Sequence, residues 1–252
     1  MQHVRESGFP FPERMVHLFV GGSELHGAKV HGTDDLDIYG VYVEPPELLL
    51  GLESFPHFVW STAGNDRRNG PHDVDITLYS LRKWAGLACN GNPTALHFLF
   101  AEGVMSSAIW KQIASEREIF LSRTFVKPFL GFADDQLKRM TGKKGRGKKG
   151  QRPEIEAKYG YDAKAAMHTL RLLYECNELL LEHRITLPRP ERDFLIKVRT
   201  GKYSMEKVLA MAEELFAACE EAAKLSTLPE KVDRRAISHL IATSYRRMWD
   251  AS

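Results

Sequence analysis

Cysteine is scarce in this sequence. Cys89, Cys176 and Cys219 are the only three in 252 residues, too far apart for a disulfide framework or a zinc cluster. A reducing, cytoplasmic setting is therefore the expectation. Long apolar runs are missing too: no stretch approaches the ~20 residues that a bilayer span needs, and no membrane partner is expected. The N-terminus shows no basic segment followed by an apolar one, so a secretory signal is not expected either. Gly (19) and Pro (12) are scattered without period, and no repeat period is evident along the chain. What is present is a hydrophobic fraction of 43%. That is ample for a packed core in one large domain or two modest ones.

The net charge of +2 conceals an uneven distribution. Residues 138 to 152 hold eight basic side chains (Lys138, Arg139, Lys143, Lys144, Arg146, Lys148, Lys149 and Arg152) and no acid. Elsewhere 27 basic residues face 33 acidic ones, a balance of −6. Concentrated positive charge in a Gly-rich segment of an otherwise acidic chain points to a polyanion-binding arm, and so to nucleic acid. Each neutralised phosphate would release counterions and add salt-sensitive affinity. No aromatic residue interleaves the run from Gly142 to Arg152, so the arm is expected to position a polynucleotide without reading its bases.

The hydrophobic pattern divides the chain. Met15 to Val20, Leu36 to Val43 and Val74 to Leu78 read as short buried strands, the first ending on Gly21-Gly22-Ser23. From Ser80, a plausible N-cap, apolar residues recur at helical spacing over 81–88, 93–100 and 109–120. Beyond residue 125 only helices are expected, over 125–140, 161–184, 189–198, 204–225 and 229–249. The expected fold is α+β: a small mixed sheet in a domain spanning 1–125, then a helical domain over 126–252 that carries the basic arm.

Asp35 and Asp37 stand at the head of the second strand, and the period of two projects them on the same side. Carboxylates so close repel one another. The economical reason to keep them together is a divalent cation with oxygen ligands, typically magnesium. Asp75, flanked by Val74 and Ile76 in the third strand, supplies a third acid. Solvated polar positions would explain any one Asp-x-Asp, but this one follows a glycine turn. Gly22 lets backbone amides approach a ligand closely, turn amides bind phosphate, and Ser23 adds a hydroxyl donor. A phosphate cradle beside a paired carboxylate, with a third acid on the next strand, is what nucleotidyl transfer from a triphosphate requires.

The stretches GGSELHG, DDLDIYG and VDITL together resemble the nucleotidyltransferase superfamily named after DNA polymerase beta. The resemblance implies that Gly22 and Ser23 hold the triphosphate and that Asp35, Asp37 and Asp75 ligate two magnesium ions, or manganese, with Asp75 towards the acceptor hydroxyl. A second stretch, YGYDAKAAMHTLRLL, together with the basic arm, resembles the superfamily branch associated with RNA repair operons and phage proteins. There, Tyr161, Lys164, His168 and Arg171 step by three, four and three residues and would line one helix face. An aromatic ring and two cations on such a face suit closing a nucleotide pocket. Asp162 is expected to cap that helix.

Lesser candidates surround the core set. Asp73 could substitute for Asp75, His26 and His31 lie near the glycine turn, Arg67 and Arg68 could steer a triphosphate, and Asp34 adds acidity beside Asp35. The expected activity is metal-dependent transfer of a nucleotide from an NTP such as ATP to an acceptor hydroxyl, with release of pyrophosphate. An RNA end, tRNA included, is the leading acceptor, bound by Lys143, Lys144, Arg146, Lys148, Lys149 and Arg152. The alternatives are transfer onto a protein, toxin-like or regulatory, and a non-catalytic RNA-binding protein. NTP choice, direction of addition and oligomeric state are not encoded in these features.

Overall fold

The computed structural model describes residues 1–30, 32, 35–64, 67, 69–142 and 153–251. Met15–Val20 (β1), Leu36–Tyr42 (β2), His57–Ser61 (β3), Val74–Ser80 (β4) and Met105–Ser106 (β5) form one mixed sheet in the order β3-β4-β2-β1-β5. β2 and β4 run parallel, and the other pairs are antiparallel. Two strands depart from the expectation. β3 is an edge strand whose Val59 is 65% exposed, which blurs the apolar alternation. β5 spans two residues, too few to show a period.

Alternation sorts β4 cleanly. Val74, Ile76 and Leu78 join Val4, Phe9, Met15, Leu18, Ile38 and Tyr42 in one buried cluster. Burying each such aliphatic side chain contributes roughly 1.5–3 kcal/mol. Asp75, Thr77 and Tyr79 therefore take the opposite face. Farther along that face Phe98 meets Phe19, Tyr39 and Tyr79 with ring centroids 4.7, 6.0 and 5.9 Å away. Ser80 caps the helix Leu81–Cys89 as expected, its side chain accepting from the Lys83 N–H at 3.2 Å.

The described chain divides into two compact units. One comprises Met1–Asn90, Thr94–Phe120 and Val232–Ser252, the other Gly91–Pro93 and Leu121–Lys231. In this division the last helix, Arg234–Asp250, falls with the N-terminal unit and Gly91–Pro93 with the other. Helical periodicity reveals an apolar face but not its partner. The last helix packs against the helices Leu81–Cys89 and Ala108–Ser115, and polar bonds tie it to the segment after β2, where the buried Glu44 carboxylate accepts from the Tyr245 hydroxyl and the Glu44 carbonyl accepts from Trp249 Nε1 at 2.9 Å. The Tyr245 hydroxyl also accepts from the Arg82 N–H at 3.0 Å. Tyr245→Phe leaves a buried carboxylate short of a donor. It is expected to lower stability by about 1.5–3 kcal/mol, measured by urea unfolding.

The second unit is built on the helices Val126–Met140, Pro153–Tyr159, Ala163–Glu182, Arg192–Arg199 and Met205–Leu225. Leu170, Leu173, Cys176, Leu179 and Leu180 of the third are fully buried, as is Cys219 of the last. Asp162 caps that third helix by accepting from the Ala165 N–H at 2.9 Å. Among the described residues no helix is long and apolar enough to cross a membrane.

Candidate active site

The parallel ladder between β2 and β4 pairs Asp37 directly with Asp75. Directly paired residues on neighbouring strands share a face, so both carboxylates project to the side opposite the buried cluster. Asp35 lies one residue ahead of β2. Each of the three acids offers an oxygen, and these oxygens lie within 4.8 Å of one another. All three side chains are half-buried, near the strand starts and ahead of the Phe98 contacts.

The donor set fits a hard divalent cation. Asp75 Oδ1 is buried and has no hydrogen-bond partner among the described residues, although a buried carboxylate oxygen ordinarily has one. Three anionic oxygen ligands at this spacing match what magnesium or calcium takes from proteins.

The glycine turn is built against the same carboxylates. The Gly21 N–H donates to the Asp37 carbonyl at 2.8 Å. Gly22 sits at φ +57°, and a Cβ there would fall 1.8 Å from Asp37 Oδ2. A Cβ on Gly21 would fall 2.2 Å from the Tyr39 ring. Both positions thus exclude a side chain, and Ser23 follows in the short helical turn Gly22–Leu25. The expected phosphate turn and the acidic cluster are one local construction.

Two features of this region have no signal in the sequence. Asn69 Nδ2 donates to Asp35 Oδ2 at 2.9 Å and also to Asp75 Oδ2. The Asn69-Gly70 dipeptide marks a turn, but nothing in it announces a side chain aimed at an acid 34 residues earlier. The second feature corrects the reading of Asp73 as a substitute ligand. Asp73 is buried and takes a bidentate pair from Arg67, at 2.5 and 2.6 Å, plus the Thr62 hydroxyl and the Gly70 N–H, each at 2.7 Å. With its lone pairs so occupied, Asp73 anchors its loop and is not placed to ligate. The Arg67 guanidinium, the Gly70 amide and the Thr62 hydroxyl hold the Asp73 carboxyl well below the usual carboxylate range. Arg67 is correspondingly an anchor of this loop.

His26 is 6% exposed and packs edge-on against His97, with centroids 4.9 Å apart. His31, Asp34 and Arg68 lie outside the described residues.

In the second unit the expected helix face is only partly present. Lys164 and His168 occupy successive turns of Ala163–Glu182 and are half-buried. Tyr161 precedes the Asp162 cap and is not on the helix. Its ring is 4% exposed and its hydroxyl donates to the Tyr203 carbonyl at 2.7 Å. In this conformation the ring is not exposed for base stacking. Arg171 is likewise buried, and Nη1 donates to both Glu175 oxygens at 2.8 and 2.9 Å. Its charge is already met by an acid one turn along. Lys143, Lys144, Arg146, Lys148, Lys149 and Arg152 lie outside the described residues. Lys138, at the head of the basic run, belongs to the helix Val126–Met140 and pairs with Asp134 at 2.5 Å.

Comparison with known proteins decides the family. The RNA repair pathway DNA polymerase beta family (RlaP) matches residues 2–243. The chain belongs to this family. The RlaP match takes in the Gly-Gly-Ser turn, Asp35, Asp37 and Asp75, and it extends over the helical second unit as well. A 120-residue stretch is 31% identical to an uncharacterized 38.9 kDa protein from the nrdC-mobD intergenic region of Enterobacteria phage T4. That match covers 46% of this chain and 35% of the phage protein, so the chain spans about a third of that curated relative. A nucleotidyltransferase-like protein from Exiguobacterium sibiricum 255-15 aligns over 99% of this chain and 72% of its own, at 10% identity and a TM-score of 0.32.

Proposed function

We propose that this RlaP-family protein is a metal-dependent nucleotidyltransferase that joins a nucleotide from an NTP to an RNA end. The observation that carries the reading is the in-register pairing of Asp37 with Asp75 beside Asp35, with Asp75 Oδ1 left without a partner among the described residues. Asp35, Asp37 and Asp75 would hold magnesium, which when bound supplies charge neutralisation for the triphosphate and activation of the attacking hydroxyl. The chain's own groups do the positioning. Amides at the Gly21-Gly22-Ser23 turn and the Ser23 hydroxyl hold the phosphates, and Asp75 is the acid on the acceptor side. The acceptor oxygen bonds to the α-phosphorus as the bond to pyrophosphate breaks, and the hydroxyl proton passes to Asp75. Because such transfers ask mainly for positioning and charge neutralisation, no protein nucleophile is needed. Lys164 and His168 are the remaining candidates for the nucleotide, and the basic run from Lys143 to Arg152 for the polynucleotide.

The test is incubation with each α-labelled NTP and magnesium, with and without total RNA or purified tRNA. Label is expected in RNA. Label in protein alone would instead show a protein acceptor, and RNA retention without label would show a non-catalytic binder. Replacing Lys143, Lys144, Arg146, Lys148, Lys149 and Arg152 by Ser is expected to weaken RNA retention. It should also flatten its salt dependence by about 0.7–0.9 in log–log slope for each phosphate that is no longer neutralised.

A further inference from the structure

Asn69 lies in the loop between β3 and β4, and its side chain is the link between two of the three acids. A primary amide nitrogen carries two hydrogens. Here one serves Asp35 Oδ2 at 2.9 Å and the other serves Asp75 Oδ2. The amide orientation is fixed by charge, since the carbonyl end turned inward would face two anionic oxygens. Instead Asn69 Oδ1 accepts from the Ser61 hydroxyl at 3.3 Å. The loop itself is held on either side of Asn69 by the Arg67–Asp73 pair and by the Gly70 N–H and Thr62 hydroxyl, which also converge on Asp73. Thr62 in turn accepts from the Val74 N–H at 2.9 Å, tying the loop to the start of β4.

We infer that Asn69 is the positioning residue of the acidic site: it pins one oxygen of Asp35 and one of Asp75, and so leaves Asp75 Oδ1 as the oxygen that ligates. This rests on the proposed reading of the three acids as cation ligands. Hydrogen bonds to the non-ligating oxygen of a carboxylate orient the ligand before the ion arrives, and their loss characteristically weakens metal affinity by about 10–100-fold. The opposite role, an amide competing with the cation for the same lone pairs, would make its removal tighten binding.

The sign of the change separates the two. Mn2+ affinity, read from the electron paramagnetic resonance signal of the free ion, is to be measured for the wild-type chain and for Asn69→Ala, Asn69→Ser and Arg67→Gln. Asn69→Ala is expected to bind Mn2+ about 10–100-fold more weakly. Asn69→Ser has one hydroxyl hydrogen to offer and is expected to fall between. Arg67→Gln, at a side chain 58% exposed, removes the bidentate pair with Asp73 that holds the loop and is expected to weaken binding as well. Melting temperatures without cation are to be recorded alongside. A merely structural role would lower them and leave the affinity of the folded fraction unchanged, and that result overturns the inference. So does unchanged or tighter binding in Asn69→Ala. If the wild-type chain binds no Mn2+ at all, the cation reading of the three acids fails with it. Binding by the wild type with no effect of Asn69 removes the positioning role alone.

Discussion

Asp37→Asn is expected to reduce nucleotide transfer by at least about 10³-fold while leaving the fold in place. Removing a single preorganised electrostatic group from a polar active site typically costs about 10²–10³ in turnover, and Asp37 does more than one such group. It is the register partner of Asp75 and lies against the Gly22 turn, so on the proposed reading it would both hold the cation and fix the turn that faces the phosphates. Asn has nearly the same shape, keeps the Gly21 hydrogen bond to the backbone carbonyl, and removes the negative charge while turning one acceptor oxygen into an NH2 donor. With three carboxylates so near one another, losing one charge relieves repulsion in the cation-free protein. The melting temperature without magnesium is therefore expected to stay within about 2 °C of wild type, the range of a substitution that breaks no packing. Label incorporation and circular dichroism together check both halves. A variant that unfolds would show that Asp37 is needed for the fold. A variant that turns over normally would remove the acids from the mechanism.

What is legible in the sequence follows from which interactions are local. The β2 and β4 strands and the shared side of Asp35 and Asp37 come from a two-residue period, and that period is a property of the chain alone. The caps at Ser80 and Asp162 are equally local, because each side chain reaches an amide three residues away. The Arg171–Glu175 pair carries a local i,i+4 signature as well. Yet an arginine in a cationic stripe suits a ligand-facing role just as well, and only the burial of that helix turn separates the two. Tyr161 shows the limit of spacing arguments: it shares the register of the helix face, yet the Asp162 cap starts the helix after it. Asn69 and the docking of Arg234–Asp250 depend on contacts across 34 and about 200 positions. No periodicity encodes such a contact, since many surface patterns are compatible with the same apolar face.

Gly22→Ala is expected to damage stability and chemistry through two separable causes. The first is conformational: Gly22 holds φ +57°, in the left-handed region where a Cβ costs roughly 1–2 kcal/mol. For a protein of this size that lowers the melting temperature by about 2–8 °C. The second is steric. The new methyl would begin 1.8 Å from Asp37 Oδ2, so either the turn or the carboxylate must move by more than about 1 Å, and a displacement of that size can cost about 10²-fold in rate. Gly21→Ala provides the contrast, because its Cβ meets the Tyr39 ring 2.2 Å away and not an acid. It should lower stability with less effect on Mn2+ affinity. The double variant Gly22→Ala/Asp37→Ala isolates the steric part. If the clash is with the Asp37 carboxylate, truncating that side chain recovers the steric share of the lost stability and leaves the φ share, so the two stability costs fail to add. Simple additivity in thermal unfolding would mean that the turn yields without pressing on the acid. In that case the glycine is required by backbone conformation alone.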